Sequence, residues 1–204
     1  MPEADRLPRV FFERNVVEVA RALIGCTLWT ARADGVVAGE IVETEAYADA
    51  ADPASHAARL KNGRVHAMAG LPGIAYIYRS YGIHTMLNLV CEPEGAPAAV
   101  LIRALEPVEG LALMRARRGI DDSNRLCKGP GSLTSAMGIG LGNHGVDVTT
   151  SVWIWLSPAA TARQPVSGER IGISRGKEMP WRFFVADSPF VSSHRRAMAV
   201  DSAP

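Results

Sequence analysis

Apolar residues recur at helical spacing over Val16, Val19, Ala20 and Leu23, between Asn15, which can cap a helix by accepting from a free backbone N–H, and Gly25. A docked amphipathic helix through about Ile24 is expected. The apolar and β-branched runs Thr27 to Ala33 and Val36 to Glu45 then flank Asp34-Gly35, a dipeptide suited to a tight hairpin turn. If that second strand runs unbroken, side chains alternate between its faces, so Ile41, Glu43 and Glu45 share one side and two carboxylates emerge together. Ile74 to Ser80 and Ile83 to Val90 predict another hairpin, with Tyr81-Gly82 at its turn. A tyrosine at such a tip has no packing partner of its own and is placed to contact something else.

Ala99 to Leu105 reads as a further strand, and Pro107, at a first helical position, is expected to open a helix running through Arg118 and stopped by Gly119. A short helix follows around Ser132 to Met137, then strand candidates at Val152 to Leu156, Arg170 to Ser174 and Trp181 to Ala186. The fold class expected from this pattern is α+β. It is a single compact domain with a largely antiparallel, curved sheet, flanking helices, a protruding β-hairpin, and frayed ends over 1–13 and 194–204.

Composition narrows the classes. With 204 residues, 48% hydrophobic and 21% charged, the chain is too apolar to be disordered and is the right length for one domain. It has no run of about eighteen apolar residues, and Met1 to Arg9 lacks the layout of an export signal. Cys26, Cys91 and Cys127 are odd in number and far apart, which suggests neither a disulfide framework nor a thiolate zinc site. A cytoplasmic location without a membrane partner is expected.

A net charge of +1 does not by itself mark a nucleic-acid binder, but the charge is segregated. Glu40 to Asp52 holds five acids and no Lys or Arg, whereas Ala57 to Cys91 holds no acid and carries Arg59, Lys61, Arg64 and Arg79. All four tyrosines, Tyr47, Tyr76, Tyr78 and Tyr81, fall in this same part of the chain. Aromatics interleaved with cations are what stacking on bases while holding phosphates requires.

Two motifs compete with that reading. Gly140 to Gly145 spells G-x-G-x-x-G, but the strand-like segment follows it instead of preceding it, so a glycine loop is the better account than a dinucleotide site. Glu43, Glu45, Asp49, Asp52 and His56 offer oxygen and nitrogen donors of the kind a hard metal takes, without the spacing of a calcium hand. A metal-dependent hydrolase using this acidic loop, 43–56, therefore stays open as an alternative.

Ile41-Val42-Glu43-Thr44-Glu45-Ala46-Tyr47 with His56 resembles the alkyladenine (3-methyladenine, methylpurine) DNA glycosylase family. Tyr76 to Gly82 through Asn88, Val100 to Pro107, Gly129-Pro130 and Ser188 to Ser192 extend the likeness in the family's order, from about Arg14 to Arg195. The resemblance implies a single-domain fold without a helix-hairpin-helix, a cofactor-free and metal-free monomer associated with the nucleoid, and double-stranded DNA containing damaged purines as its partner. By matching positions, Glu45 resembles the general base that activates water, and Arg103 the residue that helps hold backbone and water. Tyr47, His56 and Tyr78 resemble the walls of the base pocket, Asn88 the side chain that obstructs the guanine amino group, and Tyr81 the intercalating wedge. Arg59, Lys61, Arg64 and Arg79 are the expected DNA-backbone contacts. Here the segment 59–64 departs from the family's usual Arg-Asn pair, and His84 stands where many relatives have Tyr.

The chemistry agrees with those roles. A purine inside a duplex must be extruded, at a cost of a few kcal/mol, before water can reach the sugar carbon. Stacking of about 1–3 kcal/mol per base, here between Tyr47 and Tyr78, offsets that cost, and a wedge recovers some of the lost stacking. One carboxylate can both steady an oxocarbenium-like sugar and take a proton from water. Glu43 is expected to be merely solvated. Lys61, Lys128 and Lys177 lie in no apolar setting that would depress an amine, so a hydrolytic, monofunctional enzyme is expected. A non-catalytic binder of distorted DNA is the other alternative.

Overall fold

The computed structural model describes residues 6–59 and 63–192. In chain order its elements are α1 (Arg9–Phe12), α2 (Val16–Ala22), β1 (Thr27–Arg32), β2 (Gly35–Tyr47), α3 (His56–Arg59), α4 (Gly63–Met68), β3 (Ala75–Ser80) and β4 (His84–Val90). There follow β5 (Ala99–Glu109), α5 (Leu111–Arg118), α6 (Ser123–Leu126), α7 (Pro130–Met137), β6 (Ile154–Ser157), β7 (Val166–Gly168) and β8 (Arg182–Phe184). The fold is α+β, with one curled sheet of eight strands in the order β3-β4-β5-β2-β1-β6; β8 pairs with β2 and with β7. Every strand pairing is antiparallel.

Helix α2 forms where its pattern predicts it. The Asn15 side chain accepts from Val17 N, Glu92 accepts from Val16 N, and Gly25 leaves the helix at φ +90°. Its apolar face packs on the sheet, and the Thr44 hydroxyl donates to Ala20 O at 2.8 Å, tying α2 to β2. The main core lies under α2, α5 and α7, where Phe12, Leu23, Ile41, Leu89, Met114 and Leu133 have no exposure. Each such side chain contributes about 1.5–3 kcal/mol of burial.

Strand β2 does not run unbroken. Ile41 pairs with Leu105 and Glu43 with Ala104, so Val42 is an extra residue, and a second shift follows between Glu43 and Thr44. This bulge reverses the alternation. Ile41, Thr44 and Ala46 turn to the core and to α2, while Glu43 and Glu45 both reach Arg103 on the other side. Ile41 therefore does not share the carboxylates' face. The β1–β2 loop is also one residue earlier than expected, because Arg32 pairs with Gly35.

The helix expected from Pro107 begins later. Pro107 lies in β5 opposite Gly39, beside a register shift, a place in a sheet where a missing N–H is tolerated. The turn into α5 is made at Gly110, with φ +72°, where a Cβ would come within 2.5 Å of Val36 O. Arg170 to Ser174 is not a strand either. Its chain turns through Gly172, and Ile171 N donates to the Glu45 carboxylate instead of to a neighbouring strand.

At the N-terminus, residues 6–13 are docked and not frayed. Leu7 and Phe12 are buried, Leu7 N bonds Leu156 O, and Arg9 pairs with Asp147. The stretches 1–5 and 194–204 lie outside the described residues. The pattern missed α1, α3, α4, α6 and β7, all of six residues or fewer. The glycine motif at 140–145 forms a single 3₁₀ turn, with Asn143 accepting from Gly140 N and Gly145 at φ +83°.

Candidate active site

The end of β2, the middle of β5 and the β3–β4 hairpin enclose a cavity of about 220 Å³. Tyr47, His56, Tyr78, Asn88 and Arg103 all line it, and Tyr81 stands at its rim. Residues separated by more than fifty positions are thus brought to one place.

Glu45 is fully buried and does not itself line the cavity. Its Oε2 accepts from Tyr47 Oη at 2.8 Å and from Arg103 Nη1 at 3.2 Å, and its Oε1 accepts from Ile171 N at 2.6 Å. Burial raises its pKa above the ordinary carboxylate value, against the lowering effects of Arg103, Ile171 N and Tyr47. Burial also pushes the Tyr47 phenol well up, reinforced by Glu45, so it remains a hydroxyl donor. For Arg103, burial opposes the charge, but Glu45 and Glu43 overcome it and hold its pKa above the usual guanidinium value.

Glu43 is not solvated. It has no exposure, and its Oε1 accepts from Arg103 Nε at 3.0 Å, Arg182 Nε at 2.7 Å and Ser192 Oγ at 2.8 Å; Oε2 accepts from Ser192 N at 2.8 Å. Two carboxylates and two guanidiniums therefore balance under the cavity floor. Such a cluster persists in a dry interior only because nearly every polar atom in it is bonded. The sequence marked Glu43 as an acid on the right face. Its partners Arg182 and Ser192 lie more than 130 positions away, and only β8 and the chain after it bring them back.

The cavity wall is aromatic. Tyr76 and Tyr78 lie 5.3 Å apart between centroids, His56 meets Tyr78 edge-on at 4.8 Å, and His56 Nδ1 shares a 3.0 Å hydrogen bond with Tyr76 Oη. Tyr76 is a pocket residue to which the sequence reading gave no role, although it lies on the same strand face as Tyr78. Asn88 is held by its Nδ2 donating to Tyr76 O at 3.2 Å. Met68, Met86 and Leu101 complete an apolar lining suited to a flat ring.

Tyr81 is 92% exposed, and its φ of +50° joins that of Gly82, +72°, in a mirror-image turn closed by Ile83 N donating to Ser80 O. A left-handed tyrosine is uncommon and costs about 1–2 kcal/mol, here spent on holding an apolar ring in water at the lip of a cleft. Arg79 is exposed on the same hairpin. Lys61 lies outside the described residues, as do the side chains of Arg59 and Arg64.

The acidic loop is not arranged around an empty centre. Asp52 forms a two-bond pair with Arg170, Glu43 is held by two arginines, and Asp49 is exposed and accepts from Ala51 N. Among the described residues no three His, Cys, Asp or Glu side chains converge as a metal site would need. None of the helices in the described residues is long and apolar enough to cross a membrane.

Comparison with known proteins accords with this geometry. Residues 10–189 match the family described as methylpurine-DNA glycosylase. A protein of Nitrosospira multiformis named "Putative 3-methyladenine DNA glycosylase" is 49% identical over 91% of this chain and 93% of its own length. Proteins of the same name from Rhodopseudomonas palustris and Rubrobacter xylanophilus are each 48% identical, over 91% and 80% of this chain and 87% and 85% of their own.

Proposed function

Because the chain belongs to the methylpurine-DNA glycosylase family, and so to the glycosylases of DNA base-excision repair, we propose that it releases alkylated or deaminated purines from duplex DNA by hydrolysis. The observation that carries this reading is a single continuous layout. An exposed phenol stands at the rim of an aromatic cavity, and beneath that cavity a fully buried carboxylate is held by two of its lining side chains.

Tyr81 enters the duplex and fills the space of the extruded nucleotide, while Arg79, with Arg59, Lys61 and Arg64, takes phosphates. The base stacks in the cavity between Tyr47 and Tyr78 beside His56, and Asn88 excludes a guanine amino group. Water enters between Tyr47 and Arg103, the two cavity side chains that reach Glu45 Oε2. Its oxygen bonds to the sugar C1′, Glu45 takes its proton, and the base departs with the electrons of the glycosidic bond. An alkylated cationic purine leaves neutral; a neutral lesion requires a proton as it goes. The product is an abasic site with the strand intact, since among the described residues no lysine lines the cavity to form a Schiff base. The protein acts as a cofactor-free monomer.

The test is incubation with duplexes containing hypoxanthine or 7-methylguanine, with and without EDTA, and measurement of free base. Release that survives chelation and leaves the strand uncut is expected. Binding without release would favour a damage-recognition protein, loss of release on chelation a metal hydrolase, and strand cleavage by β-elimination a bifunctional enzyme.

A further inference from the structure

Arg170 has no exposure and does not line the cavity, yet it packs against one of the cavity's stacking walls. Its guanidinium lies 4.8 Å from the Tyr47 ring centroid and 5.3 Å from that of Trp181. Asp52 holds it through two bonds, Nη1 to Oδ2 at 2.6 Å and Nη2 to Oδ1 at 2.8 Å, and Nη1 also donates to Ala46 O at 2.9 Å. Nη2 also donates to Gly176 O at 3.4 Å and Nε finds no acceptor, so among the described residues Asp52 is the carboxylate bonded to this charge. Gly176 closes over the pair at φ +68°, where a Cβ would meet Arg170 Nη2 at 3.0 Å. The same Asp52 accepts from Ala48 N and Ala54 N and so folds the loop that carries His56.

A cation against one face of an aromatic ring draws on the π-electron density that a second cation would meet at the other face. A base stacked about 3.5 Å from the opposite face of Tyr47 would lie roughly 8 Å from the guanidinium, close enough for an uncancelled charge to count in a dry site. The other charged groups around Tyr47, Glu45 and Arg103, already pair with each other. Resting on the glycosylase reading above, we propose that the Asp52–Arg170 pair determines specificity. By backing Tyr47 with a rigid but charge-cancelled guanidinium, it lets the ring accept positively charged alkylated purines as well as neutral ones.

The test is the ratio of single-turnover release rates for 7-methylguanine, a cation, and hypoxanthine, a neutral base. Asp52→Asn, which leaves the guanidinium uncancelled, lowers that ratio by on the order of tenfold. Adding Arg170→Gln, which removes the remaining charge, restores it to within about threefold. Should Asp52→Asn not melt cooperatively, Asp52→Ser serves in its place, since a serine hydroxyl can still accept from Ala54 N. A variant in which both rates fall together, or a double variant that keeps the lowered ratio, overturns the proposal and leaves the glycosylase reading intact. Wild-type protein that releases neither base overturns both.

Discussion

The hairpin tip and the cavity floor hold their principal side chains in opposite surroundings. Tyr81 stands almost wholly in water on a left-handed backbone. Glu43 and Glu45 are sealed from solvent, with their four carboxylate oxygens bonded to arginines, a tyrosine, a serine and backbone amides. Under the proposed function, the difference would divide two tasks. A wedge has to be available before DNA arrives and would gain its packing partners from the duplex, so it can stand bare. A general base has to be pre-organised with its charge compensated, as a buried carboxylate at the end of a bulged strand would be.

Four substitutions press on that contrast, and the largest effect belongs to the floor. Glu45→Gln lowers single-turnover base release about 10²–10⁴-fold while duplex binding persists. Full release by this variant would remove Glu45 from its role. If Glu45 is the base, the wild-type rate is expected to have its acid limb above the ordinary carboxylate value, because burial raises the Glu45 pKa and a base must be ionised. For folding the sign is the reverse: the native state holds the Glu45 proton more tightly, so its contribution is complete below the unfolded pKa and is lost as pH rises through the raised value. Comparing the pH dependence of urea stability in wild type and Glu45→Gln checks this, and identical profiles would contradict it.

Glu43→Gln strips one buried carboxylate from two guanidiniums and should cost about 3–5 kcal/mol in denaturant melts. A loss under 1 kcal/mol would mean that water or a rearrangement already supports Arg182 and Ser192. Tyr81→Gly should behave in the opposite way. Relief of the left-handed strain roughly offsets the added chain entropy, so stability stays within about 1 kcal/mol. Extrusion of a fluorescent base reporter nevertheless weakens by the equivalent of about 1–3 kcal/mol of stacking. An unaltered reporter signal would show that Tyr81 is no wedge. The smallest effect is expected from Arg79→Ala, which reduces the salt dependence of duplex affinity by about one phosphate contact. An unchanged slope would put Arg79 off the DNA path.

Much of the site was legible locally. The capped helix before β1, the Tyr81 tip and the clustering of tyrosines with cations follow from spacing and residue type, and the ordered motifs named the family. The path of β2 was not legible, because a bulge at Val42 answers to the register of β5 and leaves no mark in alternation. Pro107 misled for a related reason, since a helix opener and a proline beside a strand's register shift look alike until the partner strand is in place. Glu43 read as a solvated acid because its arginine and serine partners lie far along the chain.

The sequence by itself determined the class of fold, the hairpin that exposes Tyr81 and the set of side chains proposed for glycosidic chemistry, since these depend on neighbours a few residues apart. Tertiary structure alone decided which carboxylates are buried, which guanidiniums hold them, and that Arg170 lies against Tyr47. Those outcomes depend on desolvation and on contacts across 58 to 149 positions, and no local pattern encodes them.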